Sequence, residues 1–196
     1  MAQFIAHELI DWFLKSEEPV TSALITEELT RLHKQSYEEF RGDSASYAIL
    51  LIESRTSAVS LHAGDCLIGE QRQPDSITWL AQPHTLANAI DDMPVAEIAA
   101  TALRNRLTRS FRQGAFMCPE TNSIDIDGAT NLILATDGFW AGLAPEKQLR
   151  ELSGDYPRSS LLDDDCSALF VRFEDDTDGV RIVDDTPENL YFAVAK

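Results

Sequence analysis

The sequence predicts an α+β domain in which sheets are covered by helices. Three observations lead there. The first forty residues carry apolar side chains at helical spacing. From Ser44 onward the texture turns to short β-rich runs with breaks between them. No repeat, low-complexity tract or linker divides the 196 residues, which suit one domain with its own core. That domain is expected to span 1–196, with a helical front over 1–40 and a sheet core over 44–184.

Phe4, Ile5, Leu9, Trp12 and Phe13 share one helical face, and Glu17-Glu18-Pro19 ends the run. Thr21 or Ser22 can cap a second helix bearing Leu24, Ile25, Leu29, Leu32 and Phe40. SYAILLIES (46–54) and TSAVSLHAG (56–64) read as a hairpin turning at Ser54-Arg55, with SITWL (76–80) as a further strand. PVAEIAATALRNRLTRS (94–110) is the clearest later helix, with Pro94 at its first position. SIDI (123–126), NLILAT (131–136), a helix after Pro145, CSALFVRF (166–173) and GVRIV (179–183) complete the order. Glu174-Asp175-Asp176 with Asp178-Gly179 reads as a solvated turn.

Charge narrows the partners. There are 33 acids against 16 bases, a formal net charge of -17. Such a field repels nucleic-acid phosphates and anionic lipid, so neither is an expected partner. It suits divalent cations wherever acids converge. Cys66, Cys118 and Cys166 are odd in number and widely spaced, which fits neither a disulfide framework nor a zinc site. Free, mostly buried thiols in a reducing cytoplasm are expected. No apolar run approaches the ~20 residues of a membrane helix. The N-terminus has acids within its apolar stretch and no basic lead, unlike a secretory signal.

Three places share one grammar, an acid set against an apolar strand. They are Gly64-Asp65 in LHAGDCLIGE, Asp137-Gly138 in LILATDGFW, and Asp163, Asp164 and Asp165 before CSALFVRF. Each alone also suits a tight corner, because Asp bonds its own backbone and Gly accepts positive φ. Together they suit Mg2+ or Mn2+, which take oxygen ligands and keep several waters. There is no G-x-S-x-G, Walker loop or C-x-x-C to suggest other chemistry.

Five segments carry a resemblance. NLILATDGFWAGL resembles the "strand, Ser/Thr-Asp-Gly, aromatic or Leu, Trp" segment of the PPM family, the type 2C metal-dependent protein Ser/Thr phosphatases. VSLHAGDCLIGE resembles that family's "Asn-x-Gly-Asp-Ser-Arg-x" strand pair, and RLTRSFRQGAFMCPETNSIDI its "LTRxxG…P" segment. DDCSALFVRF resembles the closing "Asp-Asn-x-Thr" strand, with Asp164 in the Asp place and Ser167 for Thr. GDSASYAILLI stands where the family has its "Gly-Ser-Thr" strand. The five follow the family's order over roughly residues 20–175.

The resemblance implies a β-sandwich of mainly antiparallel strands flanked by helices. It implies hydrolysis of phosphoserine or phosphothreonine esters by metal-activated water, with Mn2+ or Mg2+ as cofactor. By position, Asp137 and Asp164 would bind the core metals and Asp65 would help hold a third. Asp163 and Asp165 flank Asp164 and could take its place by a one-residue shift in register; Asp164 is favoured because it keeps Ser167 and the apolar strand aligned. Partners would be a phosphoprotein substrate or a regulatory protein.

Departures matter as well. Nothing before residue 40 resembles the family's opening acid-bearing strand or its Asp-Gly-x-x-Gly segment, so the fold is expected to be N-terminally reduced. Leu67 follows Cys66 where the family has Arg. Dications without a bridging carboxylate repel each other. Three readings stay open: an impaired or inactive homologue acting as a regulatory or binding module, a divergent enzyme recruiting other acids, or a front lost before Met1. Lost opening strands would leave a sheet edge open to self-association.

His7 and His33 are expected on helix surfaces or in helix packing, and Trp79 and Trp140 in the core. His62, beside Gly64-Asp65, suits either a metal or proton-transfer role or a satisfied structural one. His84 follows Pro83 in a loop and could face a site. Arg104, Arg106, Arg109 and Arg112 can read phosphate or pair with surplus acids.

Overall fold

A computed structural model of the chain describes residues 1–89, 91–127, 130–153, 166–173, 181 and 193. Asp163, Asp164 and Asp165, the acidic turn at 174–178, and GVRIV apart from Arg181 lie outside these residues.

Helices α1 (Ala2–Lys15) and α2 (Ser22–Ser36) open the chain. Thr21 caps α2, its side chain accepting from the Leu24 N–H at 3.3 Å. Helix α2 stops at Ser36 rather than reaching Phe40, which nevertheless packs against Phe4 with ring centroids 5.2 Å apart. Phe13, expected on the buried face of α1, is 49% exposed; the apolar stripe is complete at Trp12.

Strands β1 (Ser44–Ala45) and β6 (Phe111–Arg112) form a short antiparallel ribbon. One sheet has the order β2 (Tyr47–Ser54), β3 (Ser57–Ala63), β7 (Glu120–Asp125). The other has the order β5 (Ser76–Trp79), β4 (Leu67–Gln73), β8 (Asn131–Ala135), β9 (Ala168–Val171). Every pairing is antiparallel.

The two-residue period sorts the side chains into layers. Tyr47, Ile49, Leu51, Val59 and Leu61 pack with Ile5, Ile25, Leu29 and Leu32 of α1 and α2. Ala48, Leu50, Ala58 and Ile124 point the other way, onto Ile68, Leu132 and Leu134 of the second sheet. That sheet's far face, with Leu67, Ile133 and Ala135, is covered by Ile98, Phe139, Trp140 and Leu143. The outcome is helix, sheet, sheet, helix: the α+β sandwich flanked by helices that the sequence predicts. Each fully buried Leu or Ile contributes roughly 1.5–3 kcal/mol.

The long helix expected over 94–110 is broken. Only α3 (Val95–Ala99) is α-helical, and Pro94 caps it from outside. Thr101 then accepts from the Leu103 N–H at 3.0 Å and starts a 3-10 turn over Ala102–Asn105. Thr101, Asn105, Thr108 and Ser110 are weak helix formers whose side chains compete for backbone bonds. Past Ala135, the chain turns directly into α4 (Asp137–Trp140), then α5 (Pro145–Ser153).

Candidate functional site

The register of the second sheet brings two distant carboxylates together. Strand β4 pairs Leu67 with Ala135 and Ile68 with Leu134. Strand β4 begins and β8 ends there, and Asp65 and Asp137 sit just beyond, both close enough to Cys66 to act on its thiol. The same sheet end receives the start of β9, where Thr136 N–H donates to the Ser167 carbonyl and Ser167 N–H to Thr136 Oγ1, each at 3.0 Å. Trp140 Nε1–H donates to the Asp65 carbonyl at 2.7 Å, tying α4 to the β3–β4 turn.

Each carboxylate has a fixed neighbour. Ser46 Oγ donates to Asp65 Oδ1 at 2.6 Å and accepts from the Asp65 N–H at 3.3 Å. Gly64 makes this approach feasible at φ +104°. Arg104 Nη1 donates to Asp137 Oδ2 at 3.0 Å, and both side chains are about one quarter exposed. Burial pushes the Cys66 thiol up to about 12, and the carboxylates of Asp65 and Asp137 push in the same direction. One thiol thus feels both charges.

A second group lies on the other side of Gly64. His62 of β3 stands cross-strand from Glu120 of β7. His84 stacks on His62 with ring centroids 4.5 Å apart and planes at 23°. Its Nδ1 accepts from the Gly64 N–H at 3.2 Å, so its Nε2 carries the proton toward Glu120 Oε2 at 3.3 Å. Burial holds both imidazoles below their ordinary range. Glu120 is held low by Asn122 and the two imidazoles, against a desolvation effect that works the other way.

Of the three acids expected to bind metal, Asp65 and Asp137 share one sheet end, and Asp164 lies outside the described residues. His62 and His84 converge, although the sequence placed them in separate elements. The arginines divide: Arg104 pairs with Asp137, and Arg109 is close enough to act on His62, His84 and Tyr47. Ser46, Glu120 and the Arg104–Asp137 pairing were not legible beforehand, since each depends on register or on a fold-back. His33 is a packing residue, its Nε2 meeting the Arg112 carbonyl at 2.9 Å. Trp140 is core; Cys118 is exposed and Cys66 and Cys166 are half-buried, where mostly buried thiols were expected.

Two carboxylates at one sheet end, both acting on Cys66, fit a hard divalent cation that completes its shell with water. Arg104 opposes that fit only mildly, because a partly exposed pair is worth about 1 kcal/mol or less. No helix among the described residues is long and apolar enough to cross a membrane.

No protein-family model matches the sequence, and no curated protein matches it. Solved structures do. The serine/threonine phosphatase Stp1 from Staphylococcus aureus matches with a TM-score of 0.71 at 16% identity, over 89% of this chain and 77% of that one. The PPM Ser-Thr phosphatase MsPP from Mycobacterium smegmatis, solved with cacodylate, matches at 0.67 and 14% identity, over 88% and 82%. The catalytic domain of the serine threonine protein phosphatase PstP, solved with 2 manganese ions, matches at 0.57 and 15% identity, over 78% and 66%. With its layered sandwich and the order of its strands, the chain has the fold of the PPM-type serine/threonine phosphatases.

Proposed function

We propose that this chain is a metal-dependent phosphohydrolase of the PPM type, acting on phosphoserine or phosphothreonine in proteins. Asp65, Asp137 and Asp164 are its ligands for Mn2+ or Mg2+. The observation that carries this reading is the placement of Asp65 and Asp137 at one end of β4 and β8, with the Cys66 thiol under the influence of both. The fold supports the reaction class, and the manganese ions of the PstP structure support the metal class. A cation held there polarises a phosphoryl oxygen and acidifies water.

The chain's own residues do the positioning. Ser46 holds the Asp65 carboxylate in one orientation, and Trp140 keeps the β3–β4 turn against α4. Arg104 pairs with Asp137 and offsets its charge. With metal held by Asp137, the Arg104 fork would be released and could then pair with a substrate phosphate.

The same contact favours a second reading. A guanidinium beside Asp137 supplies the positive charge that a cation would otherwise bring. On that reading the chain is an impaired phosphatase homologue that acts through protein contacts.

Hydrolysis of p-nitrophenyl phosphate and a phosphothreonine peptide with Mn2+ separates the two. The enzyme reading expects turnover by the wild type and a loss of at least about 100-fold in Asp137→Asn, the scale on which a metal-site group acts. Equal rates in both proteins remove it, and no turnover in either favours the second reading. In Arg104→Gln, Mn2+ affinity measured by calorimetry rises by up to about fivefold, the equivalent of about 1 kcal/mol of lost competition.

A further inference from the structure

We propose that His62, His84 and Glu120 form a divalent-metal site of the zinc class, separate from the Asp65–Asp137 pair. One ligand atom from each of the three lies within 4.8 Å of the others. Two imidazoles and a carboxylate are a donor set that zinc favours over magnesium, with a water or substrate oxygen as fourth ligand.

His62 is arranged as a ligand already. It is fully buried, and its Nε2–H donates to the Gln82 carbonyl at 3.2 Å. That bond fixes the tautomer and leaves the lone pair on Nδ1. Metal-bound histidines are held the same way, with the second ring nitrogen donating to a carbonyl. Nδ1 is buried and has no hydrogen-bond partner among the described residues. The side-chain oxygen of Gln82 is also buried without one. Two buried acceptors without a donor are what a cation, or a water bound to it, would satisfy.

The other two ligands need one rearrangement. His84 Nε2 and Glu120 Oε2 are 3.3 Å apart, close to the about 3.3 Å edge of a tetrahedron with metal bonds near 2.0–2.1 Å. The proton between them must leave. A metal on Nε2 moves that proton to Nδ1, and the bond from the Gly64 N–H is released. Metal binding is therefore coupled to the Gly64–Asp65 turn. Arg109 opposes a cation here, the Glu120 carboxylate favours it, and the low-held imidazoles are neutral and ready to ligate at neutral pH.

The test uses the full chain and Zn2+ alone, with Co2+ as the spectroscopic probe. Because Zn2+ can also enter the Asp65–Asp137 pair, the reference is the Asp137→Asn chain, which is expected to take up one equivalent of Zn2+ by calorimetry and to show the visible ligand-field bands of a four-coordinate Co2+ complex. Glu120→Gln keeps shape and volume but removes the anionic ligand. It and His84→Gln are each expected to weaken Zn2+ binding by about tenfold or more with unchanged circular dichroism. Cys118→Ser in the same background excludes thiol capture. No Zn2+ uptake by the Asp137→Asn chain, undiminished affinity when Glu120→Gln is added to it, or loss of binding when Cys118→Ser is added overturns the proposal. None of these outcomes touches the phosphatase reading, which rests on Mn2+ and Asp137.

Discussion

Gly64→Ala is the perturbation whose cost the structure specifies most closely. Gly64 has φ +104°, a region that L side chains rarely adopt. An added Cβ would stand 2.0 Å from Ser46 Oγ, 2.5 Å from its Cβ and 2.9 Å from its Cα. The last contact is with backbone, so rotating the serine side chain does not relieve it. Backbone strain at such a φ costs on the order of 1–3 kcal/mol. Forcing two chain segments apart adds roughly 1–3 kcal/mol. The sum, about 2–6 kcal/mol, is a large part of the roughly 5–15 kcal/mol that holds a domain folded. Gly114→Ala is the control. Gly114 has φ +113° and nothing within 4 Å of its virtual Cβ, so it bears the strain without the clash. Urea unfolding followed by circular dichroism, extrapolated with a common m-value, gives both stabilities. Gly64→Ala should lose about 1–3 kcal/mol more than Gly114→Ala, the overpacking share alone. Equal losses in the two variants would refute the claim that Ser46 and the Gly64–Asp65 turn are in tight contact.

Two further outcomes follow from the buried titrating groups. His62 and His84 are held below 6.5, chiefly by burial, so below that pH the unfolded chain binds protons that the folded chain does not. Stability is thus full above about pH 6.5 and falls as the pH drops toward the folded values, by at most about 1.4 kcal/mol per pH unit for each ring. Urea midpoints from pH 7.5 to 5.5 should show a shallower slope in His84→Gln, and an unchanged slope would count against the buried pair. Cys66, pushed up to about 12, holds about one thiolate in ten thousand molecules at pH 8, whereas Cys118 is exposed. A disulfide reagent should therefore show a fast phase whose amplitude Cys118→Ser lowers and Cys66→Ser spares; the reverse pattern would contradict the protection of Cys66.

Much of the fold was legible in the sequence because its signals are local. Apolar spacing marked α1 and α2, Thr21 was a cap by its chemistry, and the Ser54-Arg55 corner joined two runs of β-branched and apolar residues. The failures also have a local reason. Residues 94–110 contain apolar side chains at helical intervals, but Thr101 and its polar neighbours let the chain leave the helix. Arg104 then turns to Asp137.

The candidate site divides along the same line. Residue types and their neighbours alone identified Asp65 and Asp137 as acids set against apolar strands, since strand pattern and the Asp-Gly pair are written in consecutive residues. That the two come to one sheet end depends on the pairing of β4 with β8, a contact between distant segments. His62, His84 and Glu120 come from three separate segments and carry no shared spacing. Only the β3–β7 pairing and the return of the loop at Pro83 bring them together, because cross-chain contact is settled by packing free energy summed over the whole sandwich rather than by any short stretch.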